Sequence, residues 1–589
     1  MYDERHQAII NIINRILAFF AVISFFVLIL LSGFYLKSST IRIFNVFINI
    51  QILFYIGQEI YRCWITRQHM FAHARDRILE ITMAVLLLFY VLIPSTFMHL
   101  LNNIFPSFRA DDILLIYLAL SEVFFLLVIL RKLLKFRRKV GSRLLHAGRL
   151  MMVSFFLLIV FGTFLLMTPK CVPYGHSPLD FTSAFFTSTS CVCVTGLSIL
   201  DISTQVSVTG YTIMLLLMQI GGLGIMTITA MFAMFASGGF SFQMRVMMGN
   251  ILSEDSLSDV TSLIRQIITY TFSIEFVGFT VMFFSIGGTL TNIDGSVFFT
   301  AVFHAIAAFC NAGFSIYPDG LVNANVNSNY TFLSAVIVLK LTGGLGFGTL
   351  RNIVHLKPFS SRHKPIRYQL SVTTKLILIT TAALIVFGTI VIYLLQPVYP
   401  YEYGEGAKLF HSCFMSVGRT CGFNTFNVEL GSPSLVLLLA LLMAIGASPG
   451  STGGGIKTTT FAIVITAFWR MIQGKERLTM YNREIHREYV RKALMVMFAF
   501  FLTSMVAIFF IVMFEPDKPF EFLMFEVVSA LSTAGLSCDV TPHLGTASQY
   551  LIIILMFIGR IGVLSFFLAF HKNWKEPRYK LPKTPVLIG

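Results

Sequence analysis

The chain has 589 residues, of which 56% are hydrophobic and only 12% charged, with a mean hydropathy of +0.78. That balance excludes an ordinary soluble globular protein and points to a chain that crosses a membrane many times. A formal net charge of +16 would suit a nucleic-acid binder, but the basic residues gather in 131–149, 351–375, 470–492 and the tail from Lys572.

Each basic segment lies at the end of a hydrophobic hairpin, as expected of cytoplasmic loops. This placement argues against nucleic acid and leaves membrane lipids, through their anionic headgroups, as a secondary partner. Residues 1–145 predict a four-helix membrane extension with spans near 16–36, 43–60, 80–104 and 112–131. No small-residue cleavage site follows the first span, so it is read as a retained helix. Arg62, Arg67, Arg75 and Arg77 put the loop after the second span inside, and with it the N-terminus. The spans lack an arginine at every third position, which argues against a voltage sensor.

From residue 146 the pattern becomes four units of span, short apolar segment and span. The first, 146–245, pairs 150–167 with 209–236 around 181–190; the second, 246–360, pairs 264–284 with 332–350 around 297–310. The third, 361–485, pairs 376–395 with 435–469 around 407–418. The fourth, 486–589, pairs 493–514 with 549–571 around 520–532. The middle segments are too short to cross, so each should enter and leave by one side. The expected fold is an all-α polytopic membrane protein with four pseudo-symmetric helix–re-entrant loop–helix repeats around one pore. An even number of preceding spans keeps both termini cytoplasmic and turns the re-entrant segments outward.

A short glycine motif closes every middle segment: Val194-Thr195-Gly196-Leu197, Asn311-Ala312-Gly313-Phe314, Thr420-Cys421-Gly422-Phe423 and Thr533-Ala534-Gly535-Leu536. Its glycines are 117, 109 and 113 residues apart, so one element recurs around an axis. A dehydrated cation needs oxygen ligands, which rings of backbone carbonyls supply, and glycine lets the backbone turn them inward. The four motifs are therefore expected to form a cation filter, with the preceding half-helices aiming their negative ends at the ion. Asp201, Asp319, Asn427 and Asp539 follow the glycines by four to six residues. They would ring the outer mouth and concentrate cations, although Asp and Asn favour turns in any case.

The second span of the third unit contains Gly446-Ala447-Ser448-Pro449-Gly450-Ser451-Thr452-Gly453-Gly454-Gly455, which cannot sustain a helix. Lying below the motifs, such a loop would obstruct the path and act as a gate. Four cations fall within spans: Lys340, Arg419, Lys457 and Arg560. Arg560 is expected to donate to the loop's carbonyls, with Lys457 at the loop's cytoplasmic end. Arg419 is expected to brace the third motif, and Lys340 to snorkel or pair locally. The eight cysteines lack metal-ligand spacing and read as packing residues, and no nucleophile–base pairing marks an enzyme. The only metal expected is the conducted cation at the filter residues, with no covalently bound cofactor.

Several segments carry a family likeness: Val194-Thr-Gly-Leu197, Phe303-His-Ala-Ile-Ala-Ala-Phe-Cys-Asn-Ala-Gly-Phe-Ser315, Arg419-Thr-Cys-Gly-Phe-Asn-Thr425, Gly450-Ser-Thr-Gly-Gly-Gly-Ile-Lys457 and Gly559-Arg-Ile-Gly562. Together they resemble the ion-conducting subunits of the Ktr/Trk/HKT potassium transporter superfamily, across residues 146–589. The resemblance implies a pseudo-fourfold pore in each protomer and potassium uptake across the plasma membrane, driven by the membrane potential. It also implies the third-unit loop as gate, with an arginine of the last helix as its partner. Val586-Leu-Ile-Gly589 is similar to Ktr-type subunits, which form homodimers through their C-termini and work with a cytosolic, nucleotide-binding RCK ring. The chain shows no dinucleotide-binding segment, so that ring and its regulatory nucleotide would belong to a separate polypeptide. In the HKT branch a serine at the first filter glycine accompanies sodium preference, so Gly196 favours potassium. The alternatives are a sodium-conducting or cation-coupled symporter and, more remotely, a membrane enzyme or receptor.

Overall fold

The structure is a computed structural model that describes residues 23, 26, 27, 29–65, 147–224, 260–286, 297–354, 370–395, 404–475, 477–481 and 483–570. Over these residues the protein is almost wholly helical, with one two-stranded hairpin, Thr479–Met480 and Arg483–Glu484. The expected spans 80–104 and 112–131 lie outside the described residues. The expected span 43–60 falls within α1 (Ser38–Ile65), and Lys170 Nζ ties the chain before it to the remainder by donating to the Leu31 carbonyl at 2.7 Å.

Fifteen further helices carry the architecture: α2 (Ala147–Leu166), α3 (Phe181–Cys193), α4 (Val208–Leu223), α5 (Val260–Ile286), α6 (Val297–Phe309), α7 (Tyr330–Leu345), α8 (Phe347–Val354) and α9 (Val372–Leu395) in the first half. The second half holds α10 (Glu405–Gly418), α11 (Pro433–Ala444), α12 (Thr458–Ile472), α13 (Arg487–Phe514), α14 (Phe520–Ser532), α15 (Thr546–Ile561) and α16 (Val563–Phe570). Among the described residues, Arg265–Ile286, Val372–Leu395 and Arg487–Phe514 are long and apolar enough to cross a membrane. By contrast α3, α6, α10 and α14 have 13 or 14 residues, about 20 Å of helix, well short of a hydrocarbon core of about 30 Å.

The burial pattern inverts that of a soluble protein. Thr187, Ser188, Thr189 and Ser190 of α3 are fully buried, while Phe276, Phe284, Phe498, Met505 and Phe509 on the long helices are exposed. Water would penalise that arrangement and lipid would not. The short helices form the interior: α2 packs on α3, α5 on α6, α9 on α10 and α13 on α14. Each following helix then leans on the next short one, α4 on α6, α7 on α10, α11 on α14 and α15 back on α3, so the packing closes on itself.

The helices after the glycine motifs differ from expectation. The sequence predicts continuous spans at 209–236, 332–350 and 549–571, with an interruption only within 435–469. Instead α4 stops before Gly224 (φ +79°), α7 before Gly346 (φ +81°) and α15 before Gly562 (φ +91°). Tyr330–Leu345 turns 101° into Phe347–Val354, and Thr546–Ile561 turns 92° into Val563–Ala569. The physical reason lies in Gly221-Gly222-Leu223-Gly224, Gly343-Gly344-Leu345-Gly346 and Gly559-Arg560-Ile561-Gly562. The last glycine combines positive φ with an extended ψ, a backbone conformation that glycine adopts readily and L side chains rarely do. The first sits against a backbone carbonyl at the end of a short helix: Gly221 on Val192, Gly343 on Phe309 and Gly559 on Leu531. The first span of the fourth unit also starts earlier than the expected residue 493, since α13 begins at Arg487.

Gly343 and Gly344 make the packing requirement testable. A Cβ at Gly343 would overlap the Phe309 carbonyl, whereas one at Gly344 meets nothing within 4 Å. Gly343→Ala is expected to destabilise by about 1–3 kcal/mol through overpacking. Gly344→Ala should be neutral or stabilising by up to about 1 kcal/mol through helix propensity. Thermal unfolding of the two purified variants in detergent measures the contrast, and equal midpoints would remove the close approach from the account.

Candidate functional site

The glycine motifs lie where three of the short helices end in one kind of cap. Val194, Asn311 and Thr533 stand at φ +56°, +60° and +49°, a region disfavoured for non-glycine residues and most of all for β-branched ones. Backbone bonds hold them there. Thr195 N donates to Ser190 O at 2.9 Å, Ala312 N to Ala307 O at 2.8 Å and Ala534 N to Ser529 O at 2.9 Å, the wide bond of a helix-terminating left-handed turn. Gly196, Gly313 and Gly535 are left-handed two residues on, at +98°, +74° and +82°. The third motif is built differently. Arg419 caps α10 in a right-handed conformation, and Cys421 N closes a tighter turn on Gly418 O at 2.8 Å.

The motifs touch in cyclic order. A side chain on Gly196 would strike the Ala312 carbonyl, one on Gly313 the backbone of Gly422, one on Gly422 the Gly535 carbonyl at 2.9 Å, and one on Gly535 the Thr195 carbonyl. Val194, Thr195, Gly196, Asn311, Ala312, Gly313, Thr420, Cys421, Gly422, Thr533, Ala534 and Gly535 are thus brought together around one centre. Most are fully buried. Among the described residues, no carbonyl of these four triplets accepts a hydrogen bond.

The segment 446–455 lies against this ring. Its ends are joined by Gly446 N to Ile456 O at 2.9 Å and Ile456 N to Ala444 O at 3.0 Å. Thr452 bonds to the ring: the Asn311 amide donates to Thr452 Oγ1 at 2.8 Å, and that hydroxyl donates to Phe309 O at 3.2 Å. Thr420 Oγ1 donates to the same Asn311 side chain at 3.3 Å. Gly454 fits against Thr533 and Ser532, and Gly453 near Thr420, in places a side chain would fill. Ser448 N donates to Gly344 O at 3.1 Å and Thr452 N to Gly343 O at 3.2 Å; Gly450 O in return accepts from Phe347 N at 3.1 Å. Pro449, Ser451 and Gly455 complete the segment, Ser451 through its hydroxyl on Ser448 O at 2.6 Å.

The cations separate by role. Arg560 donates to Thr452 O in the segment and to Gly221 O at the end of α4, and Lys457 donates to Gly453 O at 2.7 Å. Arg419 differs from expectation: its Nε donates to Ile445 O at 3.3 Å, where α11 stops, and not to the third motif. The reason is proximity to freed backbone, since α11 ends without its own cap there. Lys340 neither snorkels nor pairs, being 1% exposed and without a hydrogen-bond partner among the described residues.

Asp201, Asp319, Asn427 and Asp539 are all exposed and all stand in turns. Asp201 accepts from Ser203 N at 3.1 Å and from Ser203 and Thr204 hydroxyls at 2.7 Å. Partial burial opposes its ionisation, but these hydrogen bonds prevail and hold its carboxyl below the usual range. Among the described residues, no three His, Cys, Asp or Glu side chains gather to hold a metal.

Sequence reasoning missed a buried brace. Glu526 of α14 is fully buried and accepts from Ser537 Oγ at 2.5 Å, Cys538 N at 3.0 Å and Thr541 Oγ1 at 2.6 Å, tying down the chain that leaves the fourth motif. His304 holds the corresponding place in the second unit, its Nε2 3.0 Å from Ser315 Oγ. In both units the partners are 11 residues apart, nine before the motif glycine and two after it. That recurrence was the available signal.

Residues 119–580 match a family model described as TrkH, cation transport protein. The chain is 33% identical over 445 residues to Ktr system potassium uptake protein B of Bacillus subtilis, covering 74% of this chain and 95% of that one. It is 32% identical over 465 residues to the potassium/sodium uptake protein NtpJ of Enterococcus hirae, covering 77% and 99%. The fold is similar to the crystal structure of the potassium transporter TrkH from Vibrio parahaemolyticus, with a TM-score of 0.57 at 16% identity, covering 84% of this chain and 98% of that one.

The Glu526 brace gives a stability prediction. Glu526→Gln keeps the shape but turns one acceptor into a donor facing Thr541, and should lower stability by about 1–3 kcal/mol. Glu488→Gln, which loses an exposed pair with Lys492, should cost at most about 1 kcal/mol. Thermal midpoints in detergent decide, and a loss at Glu526 no larger than at Glu488 would show that the brace contributes little.

Proposed function

The chain belongs to the TrkH family of cation transport proteins, a family of multi-pass membrane transporters and not of enzymes, and from that premise we propose that it takes up potassium through a path lined by the four glycine motifs. The observation that carries this reading is the closed ring of buried triplets whose carbonyls make no hydrogen bonds among the described residues. Buried carbonyls left unpaired in a protein interior are costly. A ring of them is the ligand set that replaces the hydration shell of a cation. The four units act as one pseudo-fourfold pore with boundaries at 146–245, 246–360, 361–485 and 486–589, after the extension 1–145.

In this reading Asp201, Asp319, Asn427 and Asp539 draw cations to the outer mouth. The segment 446–455, with Lys457 and Arg560, closes the path beneath the ring. Arg560 suits that task because one planar guanidinium joins Thr452 of the segment to Gly221 of the first unit. The protein works in the plasma membrane with both termini in the cytoplasm, as a homodimer beside a separate RCK-type ring that carries the nucleotide. The names of two relatives, potassium uptake proteins B and D of a Ktr system, support work within a system of several proteins. Sodium conduction is the second reading, favoured by the name of the NtpJ relative.

Two measurements test the proposal. Gly196→Ser puts a side chain against the Ala312 carbonyl at a left-handed position, and should lower the potassium-over-sodium ratio about tenfold, equivalent to about 1.4 kcal/mol of discrimination. Competition uptake in proteoliposomes reads it, and an unchanged ratio in a folded variant takes Gly196 out of the ion path.

Deleting residues 449–453, or replacing Arg560 by Ala, removes contacts that hold the segment in place. Uptake velocity should rise about fivefold, the equivalent of about 1 kcal/mol of lost hydrogen bonding, with little change in KM. Parent velocity in both inserted variants would make the segment a structural kink.

A further inference from the structure

The Lys340 side chain bonds to nothing in the site described so far, yet it lies directly behind it, its backbone carbonyl accepting from the Asn311 amide at 3.5 Å. Its ammonium stands 4.0 Å from the centre of the Phe414 ring and 5.7 Å from that of Phe423. A Cβ on Gly418, the last residue of α10, would be 3.3 Å from Lys340 Nζ and 3.3 Å from Phe423 O. The ammonium therefore sits between the pore-side end of α10 and the residue that follows Gly422. A ring face and a helix C-terminus both attract a cation, which explains how this position is held without a carboxylate.

The equivalent places in the other units are apolar. Lys340 precedes Gly343 by three residues, and Met218 and Met556 precede Gly221 and Gly559 by the same distance. Met218 and Met556 are as fully buried as Lys340. One quadrant of four thus carries a charge where two others carry an unbranched apolar side chain of similar length. The same quadrant has the motif with a right-handed cap and no left-handed glycine.

We propose that Lys340 tunes ion affinity as a positive charge behind the third motif that weakens ion binding in the path and so favours release over retention. The inference rests on the transport reading above. It acts through space: the charge offsets the negative end of α10, which would otherwise face the ion as the ends of α3, α6 and α14 do. The third quadrant then attracts a cation least, and the bound ion is held chiefly by the other three.

Lys340→Met places in the second unit the residue found at 218 and 556, and Lys340→Arg keeps the charge. For potassium uptake in proteoliposomes we expect KM to fall about ten- to twentyfold in the Met variant, the size of a unit charge acting over roughly one nanometre at an effective dielectric of about 20. Maximal velocity should not rise. The Arg variant should keep the parent KM, and calorimetric titration of the purified proteins with rubidium should show the same order of affinity. A Met variant with parent or raised KM overturns the proposal. So does a lowered thermal midpoint with KM unchanged, which would make Lys340 a structural brace. Should the Met variant fail to accumulate, Lys340→Gln carries the comparison, and failure of both also assigns a brace. Absence of potassium uptake by the parent protein would instead overturn the transport reading itself.

Discussion

Every backbone N–H and C=O at membrane depth needs a partner, and this constraint organises the structure. Helices satisfy it internally, but α4, α7, α11 and α15 all stop inside the protein and leave carbonyls behind. The freed groups are met by very specific donors. Gly343 O and Gly344 O accept from Thr452 N and Ser448 N, Ile445 O accepts from Arg419, and Gly221 O accepts from Arg560. The segment 446–455 is thus the partner that lets α7 break, and the arginines supply donors where α4 and α11 end. A cation in such a span is costly when unpaired and useful when it replaces missing hydrogen bonds.

The short helices were legible because length and glycine punctuation agreed. The predicted 181–190, 297–310, 407–418 and 520–532 lie within a few residues of Phe181–Cys193, Val297–Phe309, Glu405–Gly418 and Phe520–Ser532. The breaks at Gly224, Gly346 and Gly562 were not legible, because a lone glycine in an apolar run serves equally as a packing contact or as a positive-φ stop. Here each four-residue stretch uses one glycine for each purpose. The segment 446–455 announced itself because ten loop-forming residues leave no helical alternative. The attachments of its neighbours did not: Arg419 turned to Ile445 and Lys340 stayed unpaired, since spacing does not report which carbonyls a fold sets free. Glu526 and His304 were missed because polar residues inside short apolar helices look like single exceptions until their partners, 11 residues on, are matched.

Conformational strain is concentrated where the carbonyls meet. Val194, Asn311 and Thr533 each hold a left-handed conformation that costs about 1–3 kcal/mol. Two of them are β-branched, the least tolerant class. Glycine would relieve the strain, but it would also loosen the chain at the place where direction matters most. The side chains retained there have other tasks: Asn311 links Thr420 to Thr452, and Val194 is fully buried in the core. A strained residue fixed by packing points its carbonyl in one direction, whereas a relaxed glycine would let it wander.

The third unit breaks the plan in several ways that have one origin. Its motif lacks the left-handed cap, its second helix yields to 446–455, and two cations, Lys340 and Arg419, flank the end of its short helix. A loop inserted between α11 and α12 needs room beside the ring, and Gly453 and Gly454 obtain it by lying flat against Thr420 and Thr533. Backbone that close to the third motif exposes unpaired carbonyls of its own, so donors must accumulate on that side. Arg419 at Ile445, Lys457 at Gly453 and Arg560 at Thr452 are those donors. Three cations gathered around one loop hold it by charge-assisted bonds, which are stronger than neutral ones and satisfy carbonyls that no helix can.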